Sequence, residues 1–329
     1  MNTKIFGTLG PSCCNRNTLK RMIDEGMSGI RLNLSHVSLG DSAEWLKEWQ
    51  QASEGKLDLL IDMQGPEMRI GRIADPISFE KGEHITIPVT KRVIPFLDVG
   101  QEILLDDGKY RANVLEVSDE FITIKMENGG TLSSSKSIKI PGVKNTLSAL
   151  TGHDIKNISL AKDAGVTGVM QPFVRGASDL IEVREALDKA GASHIKIFAK
   201  IENRTGMAEL KDIIPCSDWI VIARGDLGND MPLWELPGAQ RRIASECQKA
   251  GIPYIVVTQM LASMEHSPVP TRAEVSDIYY AVTQGAGGVM VTGETAAGEY
   301  PVEVIRNLTN TVRCAEEDYP FIHSKMTAC

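Results

Sequence analysis

Short apolar runs alternate with longer amphipathic stretches along most of the chain. The apolar runs carry hydrophobic side chains on both faces, which is typical of strands that are covered on both sides in a parallel sheet. The amphipathic stretches have helical periodicity, and several of them end in glycine, a common helix stop. The predicted strands are KIFGTL (4–9), IRLNLS (30–35), LDLLIDM (57–63), GVTGVMQPF (165–173), IKIFAKI (195–201), DWIVIA (218–223), PYIVVTQ (253–259) and GGVMVTG (287–293).

Eight such strands alternating with helices predict an α/β fold of the TIM (β/α)8 barrel type. The competing architecture is a doubly wound open sheet, but that fold usually has fewer strands, and no G-x-G-x-x-G turn follows the first strand here. The stretch PVPTRAEVSD (268–277) predicts a helix start, with Thr271 as N-cap and Glu274 at the third helical position. This spacing is the pattern of a capping box, and we interpret it as structural.

One interval, residues 67–142, interrupts the alternation of strands and helices. It has no clear helical pattern and contains alternating stretches separated by turn residues, with hairpin-like turns at DDG and ENGG. We predict an all-β module inserted after the third barrel strand, with the barrel formed by residues 1–66 and 143–329. At that position the module would act as a lid over the barrel mouth. The alternative is an insertion that only aids solubility.

Composition narrows the class of protein. The chain has 329 residues, of which 42% are hydrophobic and 24% charged, and a formal net charge of −8. The negative charge argues against nucleic acid or an anionic membrane as a partner, and no apolar run approaches the roughly 20 residues that span a bilayer. The first ten residues lack the layout of a secretory signal, and the six cysteines include no C-x-x-C pair. We therefore expect reduced thiols and a cytoplasmic protein.

Polar side chains stand at the carboxyl ends of the predicted strands, where the strands of a parallel barrel meet and where active sites are built. The runs KIFAKIEN and DWIVIARGD end on such residues. Side chains two positions apart share one face of a strand, so Lys200 and Glu202 are predicted to lie together. The whole set is Arg31, Asn33, Ser35, Asp62, Lys200, Glu202, Asp226, Thr258, Thr292 and Glu294.

Charged groups on an apolar strand are unfavourable unless an ion or ligand compensates them. Glu202 and Asp226, on neighbouring strands, suit a hard divalent cation such as Mg²⁺. Lys200, with Arg31 nearby, fits an anion such as a phosphate or carboxylate. The same groups would stabilise an enolate formed from a 2-oxo acid. The alternative for each residue alone is a surface position or a structural ion pair, and His36, a lone histidine beyond the second strand, is open to both interpretations.

Six segments of the chain closely resemble, in the same order, the signature segments of the pyruvate kinase family. They are RLNLSH, DMQGPEMRIG, IFAKIEN, ARGDLG, TQMLASM with PVPTRAEVSD, and VTGETAAGEYP. The resemblance covers about residues 3–318 and includes LLDDG and KSIKIPG of the inserted module.

The resemblance implies phosphoryl transfer between phosphoenolpyruvate and ADP, with Mg²⁺ or Mn²⁺ and K⁺ as cofactors. Lys200 would stabilise the transferring phosphoryl group and the enolate oxygen, Thr258 would assist the proton step, and Arg31 and Arg69 would grip phosphate. The resemblance further assigns substrate binding to Lys200, Gly225, Asp226 and Thr258, nucleotide binding to Arg31, His36, Arg69 and Lys136, Mg²⁺ to Glu202 and Asp226, and K⁺ to Asn33, Ser35, Asp62 and the carbonyl of Met63.

The chain also departs from the family pattern. Val37, Gln64 and Pro172 replace a glycine, a lysine and a serine. We also expect that the usual C-terminal effector domain is absent and that there is no effector control of the usual kind. Two alternatives therefore stay open. One is a related enzyme with a different phosphoryl acceptor or an enolate-lyase activity, and the other is a non-catalytic phosphoenolpyruvate-binding protein. We also expect that the barrel can form a homo-oligomer.

Overall fold

The computed structural model describes residues 2–35, 37–106, 108–143 and 145–324, with side chains up to residue 318. The chain divides into two compact units, Met1–Gly65 with Ala149–Cys329 and Pro66–Ser148. Its strands are β1 Lys4–Thr8, β2 Gly29–Asn33, β3 Asp58–Asp62, β4 Ile77–Phe79, β5 His84–Pro88, β6 Glu102–Leu105, β7 Tyr110–Val117, β8 Phe121–Met126, β9 Gly130–Leu132, β10 Ile138–Lys139, β11 Gly168–Gln171, β12 Lys196–Ile201, β13 Trp219–Ala223, β14 Tyr254–Val257 and β15 Gly288–Met290.

The α-helices of the described residues belong to the first unit, whereas the second unit has a short 3-10 helix at Ile94–Phe96. The α-helices are α1 Arg16–Asp24, α2 Ala43–Ser53, α3 Gly152–Ala161, α4 Ala177–Lys189, α5 Arg204–Ala208, α6 Leu210–Ile213, α7 Arg224–Asn229, α8 Leu236–Ala250, α9 Arg272–Thr283, α10 Gly293–Ala296 and α11 Pro301–Ser324. The predicted capping box is confirmed, because the Thr271 side chain accepts from the backbone N–H of Glu274 while the Glu274 side chain accepts from that of Thr271. Among the described residues, no helix is long and apolar enough to cross a membrane.

Eight parallel strands of the first unit close into a barrel in the order β1, β2, β3, β11, β12, β13, β14, β15, and β15 pairs with β1 again. The predicted fold class is thereby confirmed. The strands are apolar on both faces because both faces are buried. One face fills the barrel interior with Phe6, Leu60, Met170, Phe198, Val221, Ile255, Val257 and Met290, and the other packs against the helices.

Several strands end earlier than the sequence predicted. Strand β2 ends at Asn33, because the Asn33 side chain accepts a hydrogen bond from the Ser35 N–H and turns the chain there. The predicted strand 30–35 is therefore too long, and Ser35, expected to share a strand face with Arg31 and Asn33, lies beyond its end. Thr258 likewise follows β14 instead of belonging to it. These residues lie in loops at the carboxyl ends of their strands.

The second unit is built from antiparallel strands. Five of them form one sheet in the order β10, β6, β7, β8, β5, and β4 pairs with β9. Strands β6 and β7, on either side of the DDG segment, pair with each other in antiparallel fashion. The turn ENGG does not form a hairpin, because β9 leaves β8 and pairs with β4, where Gly130 lies against the Tyr110 ring. The hairpin reading of ENGG is therefore wrong.

Substitution of Gly168 tests the packing of the barrel interior. A methyl group there would lie 2.4 Å from Phe198 Cε2 and 2.7 Å from Leu60 Cδ2. We expect Gly168→Ala to reduce the free energy of unfolding by about 1–3 kcal/mol, because added volume in a packed core displaces neighbouring side chains.

The matched control is Gly152→Ala at the start of α3, where an added Cβ has no atom within 4 Å. This change should leave the stability unaltered or raise it by up to about 1 kcal/mol. Urea unfolding followed by circular dichroism measures both variants. Equal effects of the two substitutions would contradict the packing described for the interior.

Candidate active site

Four charged side chains form a continuous chain of ion pairs at the carboxyl ends of β2, β3 and β12. Arg31 donates from Nε and Nη2 to Asp62 Oδ2 at 2.8 and 2.6 Å. The Lys200 Nζ lies 3.2 and 3.1 Å from the two Asp62 oxygens and 3.0 Å from Glu202 Oε1. The side chains are largely buried, with 11% of Arg31, 3% of Asp62, 13% of Lys200 and 1% of Glu202 exposed. The predicted proximity of Lys200 and Glu202 is confirmed, although Glu202 follows the strand's last residue, Ile201.

Burial and charge act in opposite directions on these groups. Burial disfavours the Lys200 ammonium, but the negative charges of Asp62, Glu202 and Asp226 outweigh it and raise the lysine pKa above its ordinary value. Burial likewise disfavours the Asp62 carboxylate, but Lys200 and Arg31 outweigh it and hold the pKa of Asp62 below its ordinary value. Both groups are therefore charged near neutral pH.

The second Glu202 oxygen is fixed by the backbone. Glu202 Oε2 accepts a hydrogen bond of 2.7 Å from the N–H of Phe173. Phe173 has a φ of 51°, a left-handed conformation that is uncommon for a bulky side chain. The chain thus bends sharply after β11 and presents this N–H to the carboxylate. Sequence reasoning missed this contact, because a backbone donor leaves no residue signature.

Asp226 and Gly225 lie in the first turn of α7, directly after β13. The negative charge of Asp226 is one of the charges that raise the pKa of Lys200. Gly225 is adjacent to Thr258, since a Cβ on this glycine would lie 2.9 Å from Thr258 Cγ2. The structure therefore gathers residues from β12, β13 and β14 around Lys200 and Asp226, as the parallel barrel predicts.

The local charges and donors fit a divalent cation. Asp62, Glu202 and Asp226 supply three carboxylates, whereas Lys200 and Arg31 supply two positive charges. Among the described residues, no group of three or more His, Cys, Asp or Glu could hold a metal alone. A cation such as Mg²⁺ is commonly bound by one or two carboxylates and keeps waters and substrate oxygens as its other ligands. Glu202 and Asp226 are the two carboxylates expected to hold it.

The residues expected to bind K⁺ lie together at the ends of β2 and β3. Asn33 and Asp62 are paired across the two strands, Ser35 follows Asn33, and Met63 follows Asp62. They supply the oxygen donors that hard cations prefer. Asn33 Oδ1 already accepts from the Ser35 N–H, and Asp62 is shared by Arg31 and Lys200. A K⁺ ion bound here would have to share Asp62 with these two side chains.

Two predicted phosphate-binding residues belong to the second unit. Arg69 forms an ion pair with Glu67 and donates from Nη1 to the Ser135 carbonyl at 2.9 Å. Lys136 forms an ion pair of 2.8 Å with Asp106. The Ile70 N–H donates to the Lys136 carbonyl, so Arg69 and Lys136 occupy neighbouring segments of this unit. His36, the remaining predicted nucleotide-binding residue, lies outside the described residues.

Val37, Gln64 and Pro172, which depart from the family pattern, are each packed against neighbouring residues or hydrogen-bonded to them. The N–H groups of Gln64 and Gly65 donate to the buried Asp154 carboxylate at 2.8 and 3.0 Å. Pro172 lies against Gly65, since a Cβ on this glycine would be 2.5 Å from Pro172 Cγ. Val37 packs against the barrel core. Gln64, Gly65 and Pro172 thus form one locally packed group beside the ends of β3 and β11.

One further neighbour of the site was not identified from the sequence. The buried Thr8 Oγ1 donates to the Val291 carbonyl and accepts a hydrogen bond of 3.3 Å from Arg31 Nη1. Thr8 is the last residue of β1. Polar residues at the carboxyl ends of the other strands were predicted to form the site, and the same criterion could have identified Thr8. Thr292 and Glu294 are the predicted site residues that follow the eighth strand of the barrel. Glu294 is buried, and its carboxylate accepts hydrogen bonds from the N–H groups of Thr292 and Leu261.

Comparisons with known proteins agree with the resemblance found in the motifs. The sequence model of the family described as "Pyruvate kinase, barrel domain" matches residues 1–305. A pyruvate kinase of Chlamydia muridarum is 33% identical over an alignment of 337 positions, which covers 97% of this chain and 70% of that protein. A pyruvate kinase of Borreliella burgdorferi is 34% identical, with 99% of this chain and 69% of the relative covered. One of Agrobacterium vitis is 36% identical, with 96% and 68% covered.

The shared carboxylate of Asp62 generates a prediction about stability. We expect Asp62→Asn to lower the free energy of unfolding at pH 7 by about 3–5 kcal/mol, because it removes the common partner of two buried cations. The folded-state pKa of Asp62 is depressed. Its stabilisation is therefore present above the ordinary aspartate pKa of about 3.9 and is lost as the pH falls through the lower folded-state value.

Urea unfolding between pH 3 and pH 7 measures this difference. The advantage of the wild type over Asp62→Asn should shrink as the pH falls below about 4. Asp188→Asn, at an exposed position of α4, is the control and should unfold at the wild-type urea concentration throughout. A variant Asp62→Asn that is as stable as the wild type at pH 7 would refute the interpretation.

Proposed function

Because the chain belongs to the pyruvate kinase family and is a phosphotransferase of that type, we propose that it transfers the phosphoryl group of phosphoenolpyruvate to ADP. In this reaction the bond between phosphorus and the enol oxygen breaks, and an oxygen of the ADP β-phosphate forms the new bond to phosphorus. The enolate that remains takes up a proton at its methylene carbon and becomes pyruvate. The products are pyruvate and ATP.

The observation that carries the proposal is the buried, positively charged Lys200 between Asp62 and Glu202. Phosphoryl transfer depends mainly on positioning and on neutralising the charge that develops on the transferred group and the leaving oxygen. A fixed ammonium in a largely dehydrated site does both without reorganising during the reaction. Lys200 stabilises the phosphoryl group and the enolate oxygen, and Arg31 binds phosphate.

Glu202 and Asp226 hold Mg²⁺ or Mn²⁺, which supplies further charge neutralisation at the substrate oxygens. Asn33, Ser35, Asp62 and the Met63 carbonyl are proposed as ligands of K⁺. Gly225, Asp226 and Thr258 line the substrate position, with Thr258 beside the carbon that is protonated. Arg69, Lys136 and His36 are proposed to bind the nucleotide phosphates. A cytoplasmic location and a homo-oligomer stay predictions.

Replacement of Lys200 tests the function directly. We expect Lys200→Met to lower kcat for pyruvate formation by about 10³-fold, because it removes the preorganised charge at the reacting oxygens. Pyruvate release from phosphoenolpyruvate and Mg²⁺ is followed by a coupled assay, with and without ADP and K⁺. The control is Lys196→Met, which removes an exposed lysine from the same strand.

Each result of this assay has a definite meaning. ADP-dependent turnover that is lost in Lys200→Met and kept in Lys196→Met supports the proposal. Turnover by the wild type that needs a different acceptor would replace ADP in the proposed reaction. Equal activity of Lys200→Met and the wild type would refute the role of the ammonium.

The metal assignment has its own test. Asp226→Asn removes one of two carboxylate ligands, and we expect the Mg²⁺ concentration for half-maximal activity to rise by at least about tenfold. Titration of Mn²⁺ followed by electron paramagnetic resonance measures the same loss without turnover. The exposed control Asp188→Asn should bind the metal as the wild type does. Unchanged metal affinity in Asp226→Asn would exclude this residue as a ligand.

A further inference from the structure

The turn after β14 has an unusual backbone. Thr258 and the next residue, Gln259, have φ values of 82° and 54°, both in the left-handed region. Residues other than glycine are uncommon there, and a β-branched side chain such as that of threonine is an outlier. Conformations of this kind are strained and persist only where surrounding contacts hold them. Contacts with neighbouring residues must therefore hold the turn at Thr258 and Gln259 in place.

The guanidinium of Arg224 is such a contact. Its Nη2 donates to the Thr258 carbonyl at 2.7 Å, and its Nη1 forms an ion pair with Asp277 Oδ2 at 2.6 Å. The Arg224 side chain is only 12% exposed. A guanidinium has several donors in a rigid plane, so it can bind a carboxylate and a carbonyl at the same time. Arg224 thus joins three elements: α7, where it lies, α9, which carries Asp277, and the turn after β14.

The residues after Arg224 connect this contact to the proposed site. Gly225 lies against the Thr258 methyl group, with no room for a Cβ, since that atom would be 2.9 Å from Thr258 Cγ2. Asp226, a proposed Mg²⁺ ligand, is the next residue. The segment from Arg224 to Asp226 therefore touches Thr258 both through a side chain and through the backbone. A shift of the Thr258 turn relative to Asp226 would break one of these contacts.

We propose that Arg224 is a positioning residue for Thr258, holding its carbonyl so that the strained turn keeps the threonine in place beside Gly225 and Asp226. The proposal rests on the proposed function, because the role of Thr258 in protonating the enolate comes from there. Asp277 contributes by fixing the guanidinium from the other side. Arg224 itself touches no reacting atom in this proposal and acts through Thr258.

An arginine with only a structural role would make the same contacts as Arg224. A control arginine with similar partners, Arg184, distinguishes a structural role from a positioning role. Arg184 also binds one aspartate, Asp218, and backbone carbonyls, those of Ser193 and Ile195. It lies near the amino ends of β12 and β13, because Asp218 also accepts from the N–H of Ile197 near the start of β12. Arg184→Met therefore removes a comparable set of interactions at the other end of these strands.

The decisive measurement is a double-mutant cycle on kcat with phosphoenolpyruvate and ADP. We expect Arg224→Met to lower kcat by about 10- to 100-fold, with the KM for phosphoenolpyruvate changed by less than about threefold. In a Thr258→Ala background the same change should lower kcat by less than about threefold, because residues that act as a unit are not additive. Arg184→Met should leave kcat near the wild-type value. An equal loss from Arg224→Met in both backgrounds would overturn the proposal.

A second measurement does not depend on activity. Hydrogen exchange followed by mass spectrometry reports the opening of peptides that span residues 254–264. Arg224→Met should speed exchange in this segment at least about tenfold, whereas Arg184→Met should not. If the wild type shows no turnover with ADP, the proposed function fails, and the exchange rates alone decide the role of Arg224. Unchanged exchange after loss of the guanidinium would overturn it.

A conservative variant keeps the test open if Arg224→Met fails to fold. Arg224→Lys retains the charge but has a single ammonium in place of the planar fork. It should therefore lose most of the kcat that Arg224→Met loses, while keeping more of the stability. Wild-type kcat in Arg224→Lys would refute the need for simultaneous contacts to Asp277 and Thr258.

Discussion

The site depends on one buried ammonium, that of Lys200, which stays charged because carboxylates surround it. An isolated ammonium in the interior would lose its proton or destabilise the fold. Here Asp62 and Glu202 lie about one hydrogen-bond length away, and Asp62 is shared with Arg31. The arrangement keeps two positive groups close together despite their mutual repulsion. A site that must receive a phosphate needs such groups in place before the anion arrives.

The closed barrel is what brings these groups together. Asp62 and Lys200 are 138 residues apart in the chain, but their strands are separated in the barrel only by β11. Because all strands run in one direction, their carboxyl ends lie on the same side, and residues from β2, β3 and β12 to β14 share one region. The turns that follow the strands then set the details. Phe173 and Thr258 both adopt left-handed conformations next to proposed functional groups, where strain of this kind often accumulates.

Much of the architecture could be predicted from the sequence because it rests on periodicity. Apolar strands covered on both faces gave the barrel, and spacing by two gave the contact between Lys200 and Glu202. The capping box at Thr271 could be read because its partners are three residues apart. Local patterns of this kind survive folding almost unchanged.

The remaining features depend on contacts that no local pattern encodes. The sharing of Asp62 by two cations needs the order of strands and their register. The ends of β2 and β14 were misplaced because an Asn33 side-chain contact and a left-handed Thr258 terminate apolar runs that otherwise look continuous. The ENGG segment has the composition of a hairpin turn, yet β9 pairs with β4, 53 residues away along the chain. Arg224 could be seen to follow a strand, but its partner Asp277 lies on α9, 53 residues later in the chain.

The pairing of Lys4 with Gly288 also bears on how the chain folds during its synthesis. The first strand has one edge free of a partner until the last strand has left the ribosome. At roughly 5–20 residues per second this interval lasts on the order of tens of seconds. An unpaired strand edge is a template for association with other chains. Until then, association of this edge with other chains competes with closure of the barrel.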